Sequence, residues 1–132
     1  MGRIVKLLLD THALAWWFED SAKLGEQARK AIALSDVVVL VSVVSAYEML
    51  SKYRLGQWPE IAPLAEHFAN YVSDEGFDIL PLSLQHAELA ASMPISHRDP
   101  FDRLLIAQAQ IEQALLVSNE TLFDQFAVRR LW

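Results

Sequence analysis

No cysteine occurs anywhere in the 132 residues, which removes disulfide scaffolds, thiolate zinc sites and thiol nucleophiles together. A reducing cytosol is the expected compartment. Long apolar runs are missing too. The longest, Val37 to Val44, is interrupted by Ser42 and falls far short of the ~18 residues of a membrane span. The opening Met1-Gly2-Arg3-Ile4-Val5-Lys6 lacks the apolar core and cleavage site of a secretion signal, so a cytoplasmic protein is expected. Basic residues are scarce: 11 Lys and Arg stand against 17 Asp and Glu, a formal charge of −6. That excludes broad electrostatic adhesion to nucleic acid or to an anionic membrane. It does not exclude a nucleic-acid substrate, because clustered carboxylates that capture divalent cations become locally attractive to phosphate. With 4 Gly and 5 Pro there is no linker, repeat or low-complexity stretch, and residues 1–132 read as one domain.

Apolar material is plentiful, at 53% of residues, and it alternates in character along the chain. Ile4 to Leu9 and the valine-rich Val37 to Val43 read as buried strands, with Asp78 to Leu82, Leu115 to Ser118 and Val128 to Leu131 as shorter ones. Between them the patterning predicts a brief helix over His12 to Phe18, broken at Asp20-Ser21. It predicts helices over Lys23 to Leu34 with Ser21 as cap, and over Ala46 to Leu55 stopped by Gly56. Further helices are expected over Ile61 to Ser73, over Leu84 to Ser92, and from Asp99-Pro100 to Gln113, with a helical turn over Thr121 to Gln125. Strands alternating with helices imply an α/β domain with a mainly parallel sheet. Ligands of such sheets gather at the carboxyl ends of the strands. Asp10, Glu48 and Glu120 all fall near such ends.

Each acid also has a plainer local reading. Asp10 can cap the next helix. Glu48 completes the capping box Ser45-Ala46-Tyr47-Glu48. Asp99 is the expected cap before Pro100, and Asp102 in the following first turn suits the helix dipole. Their joint fall on one edge of one sheet is what independent caps do not require. Three or four such acids can hold Mg²⁺ or Mn²⁺, neutralise a phosphodiester and acidify a water. His12, His67, His86 and His97 have no zinc-site spacing. Trp16-Trp17-Phe18 reads as packing rather than a base-stacking platform, and Lys52, Arg54, Arg98 and Arg103 flank the acids, as candidate phosphate contacts or equally as solvated helix surface.

Four segments carry a family resemblance. Leu7-Leu8-Leu9-Asp10-Thr11-His12 resembles the opening motif of PIN-domain nucleases, and Ser42-Val43-Val44-Ser45-Ala46-Tyr47-Glu48 resembles their second motif. The stretch from His97-Arg98-Asp99-Pro100-Phe101-Asp102-Arg103 to Ala109 is similar to a distinctive third motif, and Leu116-Val117-Ser118-Asn119-Glu120 to the closing one. The whole resembles the VapC toxins of toxin–antitoxin pairs. That resemblance implies a three-layer α/β/α fold, Mg²⁺- or Mn²⁺-dependent endoribonuclease activity, a homodimer, and inhibition by a cognate antitoxin. It implies Asp10, Glu48 and Asp102 as catalytic metal ligands, Glu120 as a fourth ligand, and Asp99 as an accessory acid. Thr11, Ser45 and Ser118 are expected to steady the carboxylates. The family often has Thr-x-Asp in the closing motif; Ser118-Asn119-Glu120 carries an acid one methylene longer, so Glu120 is expected to contribute less. An inhibitor is expected to insert an arginine into the acidic cleft.

Two other classes compete with the nuclease. An aspartyl-phosphate phosphatase using Asp10 usually needs a second Asp two residues on, where this chain has His12. A catalytically inactive PIN-like module would bind a partner through the same cleft. A receiver-like module would need an acidic pair and a phosphoacceptor that Val37 to Ser45 does not offer.

Overall fold

The computed structural model describes residues 4–94 and 99–132. Strand β1 (Val5–Leu9) is followed directly by helix α1 (Thr11–Phe18), which ends where Asp20 takes a left-handed φ of 50°. Helix α2 (Glu26–Ile32) leads to β2 (Val37–Ser42), and α3 (Val43–Arg54) follows without a break. After a 3₁₀ turn at Pro59–Ile61 come α4 (Ala62–Glu66), α5 (Phe68–Asp74), β3 (Asp78–Leu80) and α6 (Leu84–Ser92). Helix α7 (Pro100–Glu112), β4 (Leu115–Val117), a 3₁₀ turn at Thr121–Gln125 and β5 (Arg130–Leu131) complete the fold.

All strand pairs are parallel, in the order β3-β2-β1-β4-β5, so β1 lies in the middle. Side chains alternate across a strand, and β1 makes that division visible. Leu7 and Leu9 join a core with α1, α2, α4 and α5, whereas Leu8 joins a second core with α6 and α7. Each of these leucines is fully buried, a contribution of about 2 kcal/mol apiece. Helices therefore cover both faces, as a parallel sheet requires. Helix α3 belongs to neither face alone: Val44 enters the second core and Met49 the first, so α3 crosses the carboxyl edge of the sheet.

Several local boundaries differ from expectation. The helix expected over Lys23 to Leu34 begins at Glu26 with Gly25 at its cap, and the Ser21 hydroxyl accepts from the Lys23 N–H instead of capping it. A Cβ on Gly25 would lie 2.6 Å from the Trp132 carbonyl carbon, so close approach of the last residue selects glycine there. The single helix expected from Ile61 to Ser73 is split at His67, whose backbone (φ −136°, ψ 41°) is not helical. The last strand is confined to Arg130–Leu131.

Candidate metal centre at the carboxyl edge

Strand β1 delivers Asp10 to the edge, and its carboxylate caps α1 by accepting from the Ala13 N–H at 2.8 Å. The capping role and a place at the edge thus coincide in one residue. Asp10 is buried, which raises its pKa; a hydrogen bond from Ser118, the Ala13 N–H and His12 oppose that rise, and Glu120 adds to it. Ser118 directly follows β4, is itself fully buried, and accepts from the Glu120 N–H at 3.0 Å. One hydroxyl therefore connects the first acid to the segment carrying the last.

Glu48 is turned toward α1. Its Oε1 accepts from Thr11 Oγ1 at 2.6 Å and its Oε2 pairs with Lys52 Nζ at 3.1 Å, one turn on. The capping box expected at Ser45 and Glu48 does not form. Ser42 caps α3 instead, accepting from the Val44 N–H at 2.9 Å, so Ser45 lies inside the first turn and Glu48 is released to face the cleft. Ser45 Oγ is buried and finds no hydrogen-bond partner among the described residues. A capping box does occur, at Ser83 and His86 on α6.

Asp102 comes from the first turn of α7, which starts at the carboxyl edge because it runs antiparallel to the strands. Asp99 Oδ1 accepts from the N–H groups of Phe101 and Asp102, at 2.9 and 3.3 Å, and Pro100 occupies the first helical position. The Asp102 carboxyl is pushed from the ordinary 3.8 up to about 7. Burial is the largest cause, followed by the negative charges of Asp99, Glu120, Glu48 and Asp10. Four acids from four parts of the chain thus act on Asp102 at once. Among the described residues, no three carboxylate or imidazole groups close around a common point. The acids crowd one another without forming a finished cage.

The cations and aromatics expected near the cleft are mostly engaged elsewhere. Arg103 caps the end of α6, donating to the carbonyl oxygens of Ala90 and Met93 at 2.9 and 2.8 Å. Lys52 holds Glu48, and Arg54 is exposed. His97 and Arg98 lie outside the described residues. Trp17 and Phe18 pack on Phe77, and Phe18 also meets Tyr71 edge-on, so the packing reading of this segment holds. Trp16 contacts His12 and Trp132.

A PIN domain profile matches residues 7–129, nearly the full chain. The chain belongs to the PIN domain family. No curated protein matches the sequence. Among solved structures, the fold is similar to a chain of VapBC2 from Rickettsia felis bound to a DNA fragment from its promoter. The TM-score is 0.71 at 14% identity, over 97% of this chain and 98% of that one. It is also similar to a chain of FitAcB from Neisseria gonorrhoeae, with a TM-score of 0.67 at 18% identity over 94% and 96% of the two chains. A third likeness is to DNA-bound VapBC from Salmonella typhimurium, with a TM-score of 0.69 at 15% identity over 97% and 98%. At such identities the likeness is one of fold. The PIN fold, the three layers and the parallel sheet agree with the sequence reading. No helix among the described residues is long and apolar enough to cross a membrane.

Sequence reasoning overlooked the polar residues that tie this PIN scaffold together. Ser42, Gln108 and His86 are buried and hydrogen-bonded to one another or to backbone. The available signal was a glutamine directly after the apolar run Leu104-Leu105-Ile106-Ala107, a position where an unpaired amide would be costly.

Proposed function

We propose that this PIN domain is a divalent-metal-dependent endoribonuclease, the VapC-type toxin of a toxin–antitoxin pair. The observation carrying this reading is the gathering of Asp10, Glu48, Asp99 and Glu120 around Asp102, whose carboxyl is pushed up to about 7 by burial first and by their negative charges second. Like charges held together at a protein edge are unfavourable alone and become favourable around a cation. The donors are carboxylate and hydroxyl oxygens, with no thiolate, which suits Mg²⁺ or Mn²⁺ better than zinc. The unpartnered Ser45 hydroxyl beside Glu48 adds a polar group available to a bound water. The open arrangement matches an ion that keeps several waters.

In this reading Asp10 and Asp102 would hold the ion, with Glu48 as a direct or water-mediated ligand and Glu120 as the weakest member. Bound there, a divalent cation would supply charge to neutralise the scissile phosphate and acidify a water. The chain's own contribution is orientation. Thr11 and Lys52 fix the two oxygens of Glu48, while Ser118 steadies Asp10 and Asp99 fixes the turn that presents Asp102. An antitoxin arginine entering this cleft would pair with the same carboxylates and block ion and RNA together. Exposed Tyr47 on α3, Leu55 just past its end and Leu84 on α6 leave apolar surface for a homodimer or for the antitoxin. The proposed compartment is the cytoplasm.

The lack of a finished cage favours one competitor, a PIN-like module that binds a partner without cleaving RNA. Incubation of the purified chain with fluorescent single-stranded RNA, with Mg²⁺, Mn²⁺ or chelator, separates the two. Metal-dependent cleavage is expected, lost in Asp10→Asn and Asp102→Asn by more than about a hundredfold, beyond the range typical of outer-shell changes. Glu120→Gln is expected to lose less. Full activity in either well-folded aspartate variant would rule out the assigned centre, and no cleavage by wild type with any metal would favour the binding module.

A further inference from the structure

Gln108 is fully buried on α7, and an amide there needs partners at both ends. It finds them on three other elements. Its Oε1 accepts from Ser42 Oγ at 2.5 Å. Its Nε2 donates to the Pro81 carbonyl at 3.4 Å and faces His86 Nδ1 at 3.5 Å. Ser42 Oγ in turn accepts from the Val44 N–H, capping α3. His86 Nδ1 accepts from the Ser83 N–H at 3.0 Å, and its Nε2 meets Glu112 at 3.2 Å.

The direction of these bonds is fixed throughout. Ser42 has one proton and gives it to Gln108, so the Gln108 carbonyl faces α3 and its NH₂ faces Pro81 and His86. His86 Nδ1 is an acceptor, so its Nε2 carries the proton that reaches Glu112. Reversing any one member would set donor against donor or acceptor against acceptor at its neighbour. Ser42 ends β2 and caps α3, so its bond to Gln108 ties the start of α3 to α7; these helices carry Glu48 and Asp102, and they pack directly on each other.

We propose that Gln108 is a positioning residue of the cleft: through Ser42 it clamps the first turn of α3 against α7 and so sets the spacing of Glu48 and Asp102. Gln108 touches neither ion nor RNA; it acts through the α3 cap. The assignment rests on the metal-site reading above. A glutamine serving only to fill and satisfy the core would, when lost, lower stability without changing the affinity of the folded protein for metal.

Gln108→Met keeps the volume and removes both polar ends. Gln108→Glu keeps the acceptor for Ser42 but sets a carboxylate oxygen against the Pro81 carbonyl and His86 Nδ1. Amide hydrogen exchange on the metal-free variants reads the clamp alone. Faster exchange at Val44 and the first turn of α3 is expected, with β1 and α2 unchanged. Calorimetric titration with Mn²⁺, at a temperature where each variant is folded, reads the consequence. A loss of about tenfold or more in affinity is expected, in the range seen when outer partners of ligands are removed. Adding Ser42→Ala to Gln108→Met should cost little further affinity, because the two residues act as one unit. Unchanged exchange at Val44 would overturn the clamp. Faster exchange with unchanged Mn²⁺ affinity would overturn the positioning role, leaving a core glutamine. Wild-type protein that takes up no Mn²⁺ would refute the metal-site reading itself, and the positioning role with it, while the exchange data would still judge the clamp.

Discussion

Two polar regions lie within a few turns of each other in this protein, and they are built on opposite principles. In the network of Ser42, Gln108, His86 and Glu112, every donor meets an acceptor. At the carboxyl edge, Asp10, Glu48, Asp99, Asp102 and Glu120 place negative charge upon negative charge. A satisfied network rigidifies; a crowded set of like charges costs stability and persists only where something else compensates. Stability spent at one place and recovered beside it is the pattern expected of a site kept ready for a cation.

Breaking the satisfied region should have the larger effect on folding. His86→Ala removes the α6 capping box, the partner of Glu112 and a fully packed ring together. A loss of about 3 kcal/mol is expected from the cavity and the unpaired groups, measured by urea unfolding. A cost below about 0.5 kcal/mol, as for an ordinary surface site, would show the network to be dispensable.

The crowded region should respond in the opposite sense, and more weakly. Unfolded, Asp102 titrates near the ordinary 3.8; folded, near 7. Between those values the folded chain retains a proton that the unfolded chain has lost, so stability falls as pH rises through the window and levels off above about 7. Asp10, also raised, adds in the same direction. In the absence of metal, Asp102→Asn should therefore flatten the decline in melting temperature from about pH 5 to pH 8 and melt a few degrees above wild type at the upper end. A variant that melts below wild type at both ends would mean that Asp102 is stabilising, contrary to the crowding.

Much of this organisation was legible in the sequence. The apolar runs ending at Asp10 and Ser118, and the Asp99-Pro100 start of α7, located three of the acids by local rules alone. The start of α3 was not legible, because Val37 to Val44 carries strand character past the end of β2, while the helix in fact begins at Val43 with Ser42 as its cap. That displaced boundary decides where Glu48 points. Ser83 and His86 escaped notice for a different reason: histidine replaces the usual Glu or Gln of a capping box. Arg103, next to Asp102, was a candidate phosphate contact; carbonyls at the end of α6 engage it.

The most direct test of the central claim is a carbon-13 NMR titration of the Asp102 side-chain carboxyl, without metal and with saturating Mg²⁺. A midpoint near 7 is predicted for the metal-free protein, falling well into the acid range once the ion is bound. An ordinary midpoint near 3.8 that Mg²⁺ leaves unmoved would contradict both the crowding and the site built upon it.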